Sequence, residues 1–286
     1  MAALGRHRDL PLQTIESMKR SKRKALGQHF LHDQNIVRKI ISLADIQPNE
    51  TAVEIGPGRG ILTRALCETG SKTFAIELDH RLYEILKKEF ADVSNVRIIQ
   101  ADALTYPFDG LPTPFVIVAN LPYSISTPLL FRLLELRSRV TRMVLMLQLE
   151  VARRITASPG TKDYSPLSIG AQFYAEPRLE FLVPRGCFQP KPRVDSAVLS
   201  LRIRPSPKVI VKEEAFFFRV VRAGFAHRRK SLRNSLKDAG FPNDAVEEAL
   251  DAASITSEEP QRRAETLSIE AFARLADKLF EFTPQL

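Results

Sequence analysis

Between residues 50 and 150 short apolar runs alternate with longer stretches of mixed polarity. The runs are Val53-Glu54-Ile55, Thr73-Phe74-Ala75-Ile76, Val96-Arg97-Ile98-Ile99-Gln100 and Phe115-Val116-Ile117-Val118-Ala119. Each is short and rich in β-branched or aromatic residues, and the intervening stretches are long enough for helices. That alternation predicts βα units of a mainly parallel sheet. Further strands are expected over 167–183 and 194–204, including an antiparallel pair at the sheet edge. Around Pro205-Ser206-Pro207 the period changes from strand to helix, which marks a domain boundary. Phe217, Val220, Val221 and Phe225 then recur at helical spacing as the core of a small bundle that runs to residue 286. Residues 25–45 read as helical. The expected organisation is an arm over 1–24, an α/β domain over 25–204 and a helical domain over 205–286.

The residues at the carboxyl end of each apolar run carry the chemistry. After the first comes Gly56-Pro57-Gly58-Arg59-Gly60, a turn whose glycines let a ligand approach the backbone closely. The spacing is G-x-G-x-G, neither the dinucleotide fingerprint nor a P-loop. Glu77 closes the second run, Asp102 comes after the third and Asn120 after the fourth. In an open parallel sheet such carboxyl ends line one crevice, and an acid about twenty residues after the glycine turn meets ribose hydroxyls. Either carboxylate alone has a structural reading; one polar residue per βα unit, in order, is harder to assign to chance.

Asn120-Leu121-Pro122-Tyr123 is the most specific of these strand ends. An exocyclic amine on a nucleobase is a poor nucleophile because its lone pair is delocalised into the ring. Two acceptors, the Asn120 side-chain oxygen and the Leu121 carbonyl, can bind its N–H groups and aim the lone pair outward. Pro122 stiffens the turn and contributes no N–H, and Tyr123 offers a face for stacking.

Taken together, Gly-Gln-x-Phe-Leu at 27–31, the Glu54 to Gly60 turn, Asn120 to Tyr123, Phe188-x-Pro190-x-Pro192-x-Val194-x-Ser196 and the Phe225 to Leu236 segment resemble the ribosomal RNA adenine N6,N6-dimethyltransferases. Within that family the match is to the bacterial small-subunit type linked to kasugamycin sensitivity. The resemblance implies a Rossmann-like S-adenosylmethionine-dependent methyltransferase domain followed by a small α-helical domain. It implies two adjacent adenosines in a hairpin near the 3′ end of 16S rRNA as substrate, S-adenosylhomocysteine as the second product, no metal, and a part in small-subunit biogenesis. Carried over residue by residue, cofactor contacts fall on His29, Leu31, Gly56, Gly58, Glu77, Asp102 and Asn120. Glu77 would hold the ribose hydroxyls, Asp102 the cofactor's adenine amine and Gly56 its methionine portion. Many members have Asn where this chain has His29, whose imidazole supplies either a donor or an acceptor. Asn120, Leu121, Pro122, Tyr123 and Phe188 would hold the flipped base. The Pro-rich sequel of Phe188 favours a rigid loop at the pocket mouth over burial of the ring.

Charge points to the same partner. The net charge is +9, and residues 1–32 hold seven Lys/Arg against two Asp/Glu, more than half of the excess. Lys22, Arg23 and Lys24 belong to a cluster just ahead of the cofactor motif and are expected to touch phosphates. The last 82 residues are neutral but polarised: Arg222, Arg228, Arg229, Lys230, Arg233 and Lys237 precede an acidic block from Asp238 to Glu259. Arg229, Arg233 and Lys237 recur every four residues, so a helix would set them on one face as an RNA-tracking stripe. A solvated charged face is the rival reading. Two cysteines, Cys67 and Cys187, are too few for a disulfide framework. No apolar run approaches a membrane span, and Asp9 and Glu16 count against an organellar presequence, so a cytoplasmic location is expected. The family resemblance implies a monomer acting on an assembling 30S particle. Three alternatives stay open: a methylase of the erythromycin-resistance type acting on large-subunit RNA, a non-catalytic ribosome-assembly or transcription factor on the same fold, and a nicotinamide-dependent oxidoreductase.

Overall fold

A computed structural model describes residues 29–227, 229–255 and 263–283. Two compact units emerge: 26–158 with 167–208, and 159–166 with 209–286. The larger unit contains β1 (Phe30–Leu31), α1 (Gln34–Ala44), β2 (Thr51–Ile55), α2 (Ile61–Glu68), β3 (Lys72–Glu77), α3 (His80–Glu89), β4 (Val96–Gln100), β5 (Phe115–Asn120) and α4 (Ser126–Glu135). It continues through β6 (Val140–Gln148), α5 (Leu149–Thr156), α6 (Pro166–Tyr174), β7 (Ala175–Val183), β8 (Phe188–Gln189) and β9 (Ser196–Ile203).

Seven strands form one sheet in the order β4-β3-β2-β5-β6-β9-β7. The first five run parallel; β9 is antiparallel to both of its neighbours and β7 closes the edge. The central strands are buried on both faces, as parallel strands flanked by helices must be: every residue of β2, and Phe115 to Ala119 of β5, is buried. The chain winds outward from β2 through β3 to β4, then returns to the other side of β2 as β5. The strand order therefore reverses between β2 and β5, and the crevice at their carboxyl ends is where open α/β sheets take ligands.

Helix α1 lies on the sheet through Ile36, Val37, Ile40 and Ala44. Asp33 caps it by accepting from the Asn35 and Ile36 N–H groups, which hold its carboxyl below the usual range. At the far end Arg142 of β6 donates to the Ala44 and Asp45 carbonyls and to both oxygens of Glu50, a bidentate bond that also lowers the Glu50 pKa. The helix is thus fixed at both ends above the sheet.

Two expectations from periodicity fail here. Residues 30–31 are not helical but form β1, paired antiparallel with β8 so that Phe30 faces Gln189 and Leu31 faces Phe188. The first half of 167–183 is helix α6, with Leu167, Ile169, Ala171, Phe173 and Tyr174 all buried; apolar on every side, it offers no polar stripe to reveal a helical period. Its second half is β7, which does pair with β9 at the edge.

The smaller unit holds α7 (Glu214–Gly224), α8 (Leu232–Asp238), α9 (Asn243–Ala252) and α10 (Ile269–Phe282). Phe217, Val220 and Val221 are buried on α7, and Phe225, just past its end, stacks on Phe272 of α10. Residues 159–166 join this unit, tied in by the Gly160 N–H to the Glu265 carbonyl at 2.7 Å. Among the described residues no helix is long and apolar enough to cross a membrane.

Candidate active site

One open pocket, with about 1090 Å³ of non-atom space that includes adjoining solvent, lies along the carboxyl ends of β2, β3, β4 and β5. Its lining mixes apolar side chains with a few convergent polar groups, the usual make-up of a small-molecule site. Gly56, Gly58, Glu77, Asp102 and Asn120 all line it, as do His29, Leu31, Leu121, Pro122 and Tyr123. The four strand ends singled out from sequence therefore meet in one cavity.

The glycine turn needs its glycines. Gly56, Gly58 and Gly60 all have positive φ, a region other residues reach only with strain. A Cβ on Gly58 would stand 3.1 Å from the Phe30 ring, and one on Gly56 would stand 3.9 Å from the Asn120 carbonyl. The bare backbone thus leaves space between the turn and the tetrapeptide. Arg59 at the tip sits over the face of Phe30 at 4.6 Å, a cation–π contact that covers one side of the cleft.

Below the turn stand two buried acids. Glu77 accepts from the Gly58 N–H at 3.1 Å and from the Asp79 N–H at 2.8 Å. Burial raises its pKa while those two N–H groups pull it back. Glu54 is wholly buried and accepts from the Thr63 hydroxyl at 2.6 Å. Burial, opposed by that bond and reinforced by the charge of Glu77, pushes its pKa up to about 8, so it is protonated at neutral pH. Asp102 uses one oxygen to accept the Leu104 N–H at 2.9 Å. Acceptors of this kind fit the hydroxyl and amine donors of an adenosyl ligand, and the glycine backbone fits close approach by its remainder.

At the tetrapeptide the amide of Asn120 is oriented by its neighbour, because Nδ2 donates to the His29 carbonyl at 3.3 Å. That leaves Oδ1 as the free acceptor. The Leu121 N–H is consumed by the Met146 carbonyl at 2.9 Å, while no donor meets the Leu121 carbonyl among the described residues. Two acceptors therefore remain for an amine. The Tyr123 hydroxyl bonds Ser196 Oγ at 2.6 Å, and burial raises its pKa, keeping the phenol neutral. The His29 ring lies 5.5 Å from the Tyr123 ring, tilted by 33°. Its Nδ1–H donates to the Pro190 carbonyl at 2.7 Å, which leaves Nε2 facing away from that bond.

Phe188 is a correction. It is 2% exposed, paired opposite Leu31, and packs with Ile36, Val37 and Val198 beneath α1 rather than at the pocket. A large ring gains more from that apolar cluster than from the pocket rim, and the loop after it exposes Pro190 while burying Pro192. Sequence reasoning also missed Ser196, Glu54, Phe30 and Arg59. All four belonged to motifs already in view, and for Glu54 and Ser196 a polar residue within a buried strand was the available signal.

The basic clusters stand differently. Lys22, Arg23, Lys24 and Arg228 lie outside the described residues. Arg222 and Arg229 are exposed, but helix α8 begins at Leu232, so Arg229 lies before it and the three-residue stripe does not form. Arg233 and Lys237 do share α8, and both bind Glu247 of α9 at 3.0 and 2.7 Å; Lys230 binds Asp238 at 2.7 Å. The acidic block thus folds back on the basic one.

The ribosomal RNA adenine dimethylase family model matches residues 19–280. A ribosomal RNA small subunit methyltransferase A from Moorella thermoacetica is 46% identical, covering 90% of this chain and 92% of that protein. The enzyme of the same description from Pelotomaculum thermopropionicum is also 46% identical, covering 95% and 97%. Among solved structures, a dimethyladenosine transferase from Plasmodium falciparum superposes with a TM-score of 0.71 at 27% identity, covering 90% of this chain and 98% of that one. The 23S rRNA methyltransferase ErmE gives 0.67 at 29%, covering 87% and 99%. The matched residues take in the glycine turn, both acids and the tetrapeptide, and this chain belongs to the ribosomal RNA adenine dimethylase family.

Proposed function

We propose that this chain transfers methyl groups from S-adenosylmethionine to N6 of two adjacent adenosines in a hairpin near the 3′ end of small-subunit rRNA, giving N6,N6-dimethyladenosine. The observation that carries the reading is the pair of open acceptors, Asn120 Oδ1 and the Leu121 carbonyl, in the same cavity as the glycine turn and Glu77. Relatives at 44–46% identity described as small-subunit methyltransferases support the small subunit over the large.

When bound, S-adenosylmethionine supplies an electrophilic methyl on a sulfonium whose charge is lost in the transfer. The chain's task is therefore alignment rather than strong acid or base catalysis. Glu77 and Asp102 take the adenosyl hydroxyls and amine, and the Gly56 and Gly58 backbone takes the rest. Asn120 Oδ1 and the Leu121 carbonyl accept the two N6–H bonds and hold the lone pair out of the base plane. Tyr123, held by Ser196, stacks on the extruded base, and the His29 ring backs it. The Leu121 side chain is buried, which fixes its carbonyl. Transfer moves the positive charge from sulfur to N6, and the N6 cation, strongly acidic, loses one proton to solvent, so after the first transfer one N–H remains for these acceptors.

The same reading makes the protein a monomeric cytoplasmic enzyme that meets its rRNA in an assembling 30S particle. Incubating unmethylated small subunits with labelled donor and then analysing the nucleosides tests it, with large subunits in parallel. Dimethyladenosine is expected from the small subunits. Label on cytosine, on protein, only on large subunits or nowhere defeats the proposal.

A further inference from the structure

The two rings that face each other in the pocket are tied to opposite ends of one loop. His29 donates to the Pro190 carbonyl at 2.7 Å and Tyr123 bonds Ser196 at 2.6 Å. Between them run Lys191, Pro192, Arg193, Val194 and Asp195. This segment is firmly seated. Phe188 before it, Pro192 within it and Ser196 after it are buried. Asp195 accepts the Arg185 N–H at 2.9 Å through its carboxylate and the Leu149 N–H at 3.0 Å through its carbonyl, and the Arg193 carbonyl accepts from Arg185 Nη1 at 3.3 Å.

The side chains of Lys191 and Arg193 are left exposed. Neither has a carboxylate partner among the described residues, where many other cations do: Arg142 has Glu50, Arg204 has Glu176 and Lys212 has Glu281. The acid within the loop itself, Asp195, is engaged with a backbone N–H. A firmly held loop carrying two cations without carboxylate partners, joined by one hydrogen bond to each pocket ring, is complementary to phosphates next to a base held by those rings.

We propose that Lys191 and Arg193 clamp the phosphates flanking the target nucleotide, so that the loop joins grip on the RNA backbone to positioning of the extruded base. This rests on the RNA-methylating function proposed above and adds the site that holds the substrate's backbone at the pocket mouth. Because phosphate contacts are read by counterion release, each one lost shallows the salt dependence of binding by slightly less than one log unit per log unit of salt.

The test uses the full chain and purified unmethylated small subunits, with binding measured over a series of KCl concentrations. For the Lys191→Ala, Arg193→Ala double variant, the dissociation constant is expected to rise about tenfold or more near physiological salt, and the log–log slope to fall by about one to two. KM for the subunit should rise while kcat falls less than about twofold, and calorimetric affinity for S-adenosylmethionine should match the parent. The Lys191→Arg, Arg193→Lys variant should recover the slope. An unchanged slope and affinity would overturn the clamp, as would a loss confined to kcat, which would reduce the loop to a support for Tyr123. The slope is read on binding alone. A parent protein that binds small subunits with the full slope yet transfers no methyl would defeat the proposed function and leave the clamp standing.

Discussion

Asn120 shows how a side chain can be aimed by a backbone group far away in the sequence. Its Nδ2 is spent on the His29 carbonyl, so Oδ1 is the atom left for an incoming amine. Asn120→Ala removes that acceptor but none of the adenosyl-facing acids. Methyl transfer is expected to fall at least about a hundredfold, the usual penalty for a misplaced reacting group, while the cofactor dissociation constant moves less than about threefold. Single-turnover transfer and calorimetry measure the two separately, and equal losses in both would contradict the role. Glu54 makes a second case, one of pH. In the fold its carboxyl keeps a proton up to about pH 8, against 4.5 when solvated, so between those values the native chain holds a proton that the unfolded chain lacks. Its contribution to stability is therefore complete below 4.5 and is lost as pH rises through 8. Glu54→Gln keeps an acceptor for the Thr63 hydroxyl and removes the titration. The parent's Tm should decline relative to the variant's across that window; parallel curves would mean that Glu54 is ionised in the fold.

At the scale of elements, what could be read from sequence was what each segment determines by itself. The runs ending at Gly56 and Asn120 were legible because strands buried on both faces are mostly apolar; β3 and the edge strand β4 are less buried but still short and rich in β-branched or aromatic residues, and the polar residue at the end of each run marks the crevice. Helix α6 was misread for a related reason: buried all round, it lacks the polar stripe that distinguishes a helical period. Strand β1 has two residues and exists only because β8 lies beside it, far away in the chain. The same long-range pairing drew Phe188 into the core, and no local pattern announces it. Nor could spacing reveal that His29 and Ser196 anchor the rings and loop of the site, since these bonds join residues 161 and 73 positions apart. Gly60 belongs to the legible part and gives a test at this scale. It starts α2 at a φ of 75°, and a Cβ there would stand 2.8 Å from the Cδ2 atom of Leu86, a side chain of α3 with no exposure. Gly60→Ala should cost about 2–3 kcal/mol, combining left-handed strain with overpacking. Urea titration measures it, and a loss below about 0.5 kcal/mol would show that α3 yields freely.

Across the whole chain the excess of +9 is unevenly spread, and pairing rather than count decides which cations are available to RNA. The segment from Arg222 to Lys237 carries no acid, which in sequence resembles an exposed polyphosphate track. In the folded helical unit Glu247 of α9 bonds both Arg233 and Lys237 of α8, and Asp238 takes Lys230. These are partly exposed pairs, each worth on the order of 0–1 kcal/mol to stability. Their larger effect is competition: a phosphate approaching α8 must displace a carboxylate already in place. Glu247→Gln removes that competitor without adding charge to the helix or taking away a cation. Stability should change by less than about 1 kcal/mol. Small subunits should bind more tightly at low salt, with a log–log salt slope steeper by about one or two, as Arg233 and Lys237 exchange a protein partner for phosphates and release their counterions. If affinity and slope stay at the parent's values while the fold is intact, α8 lies off the RNA path, and contact with the substrate backbone must be assigned to other cations.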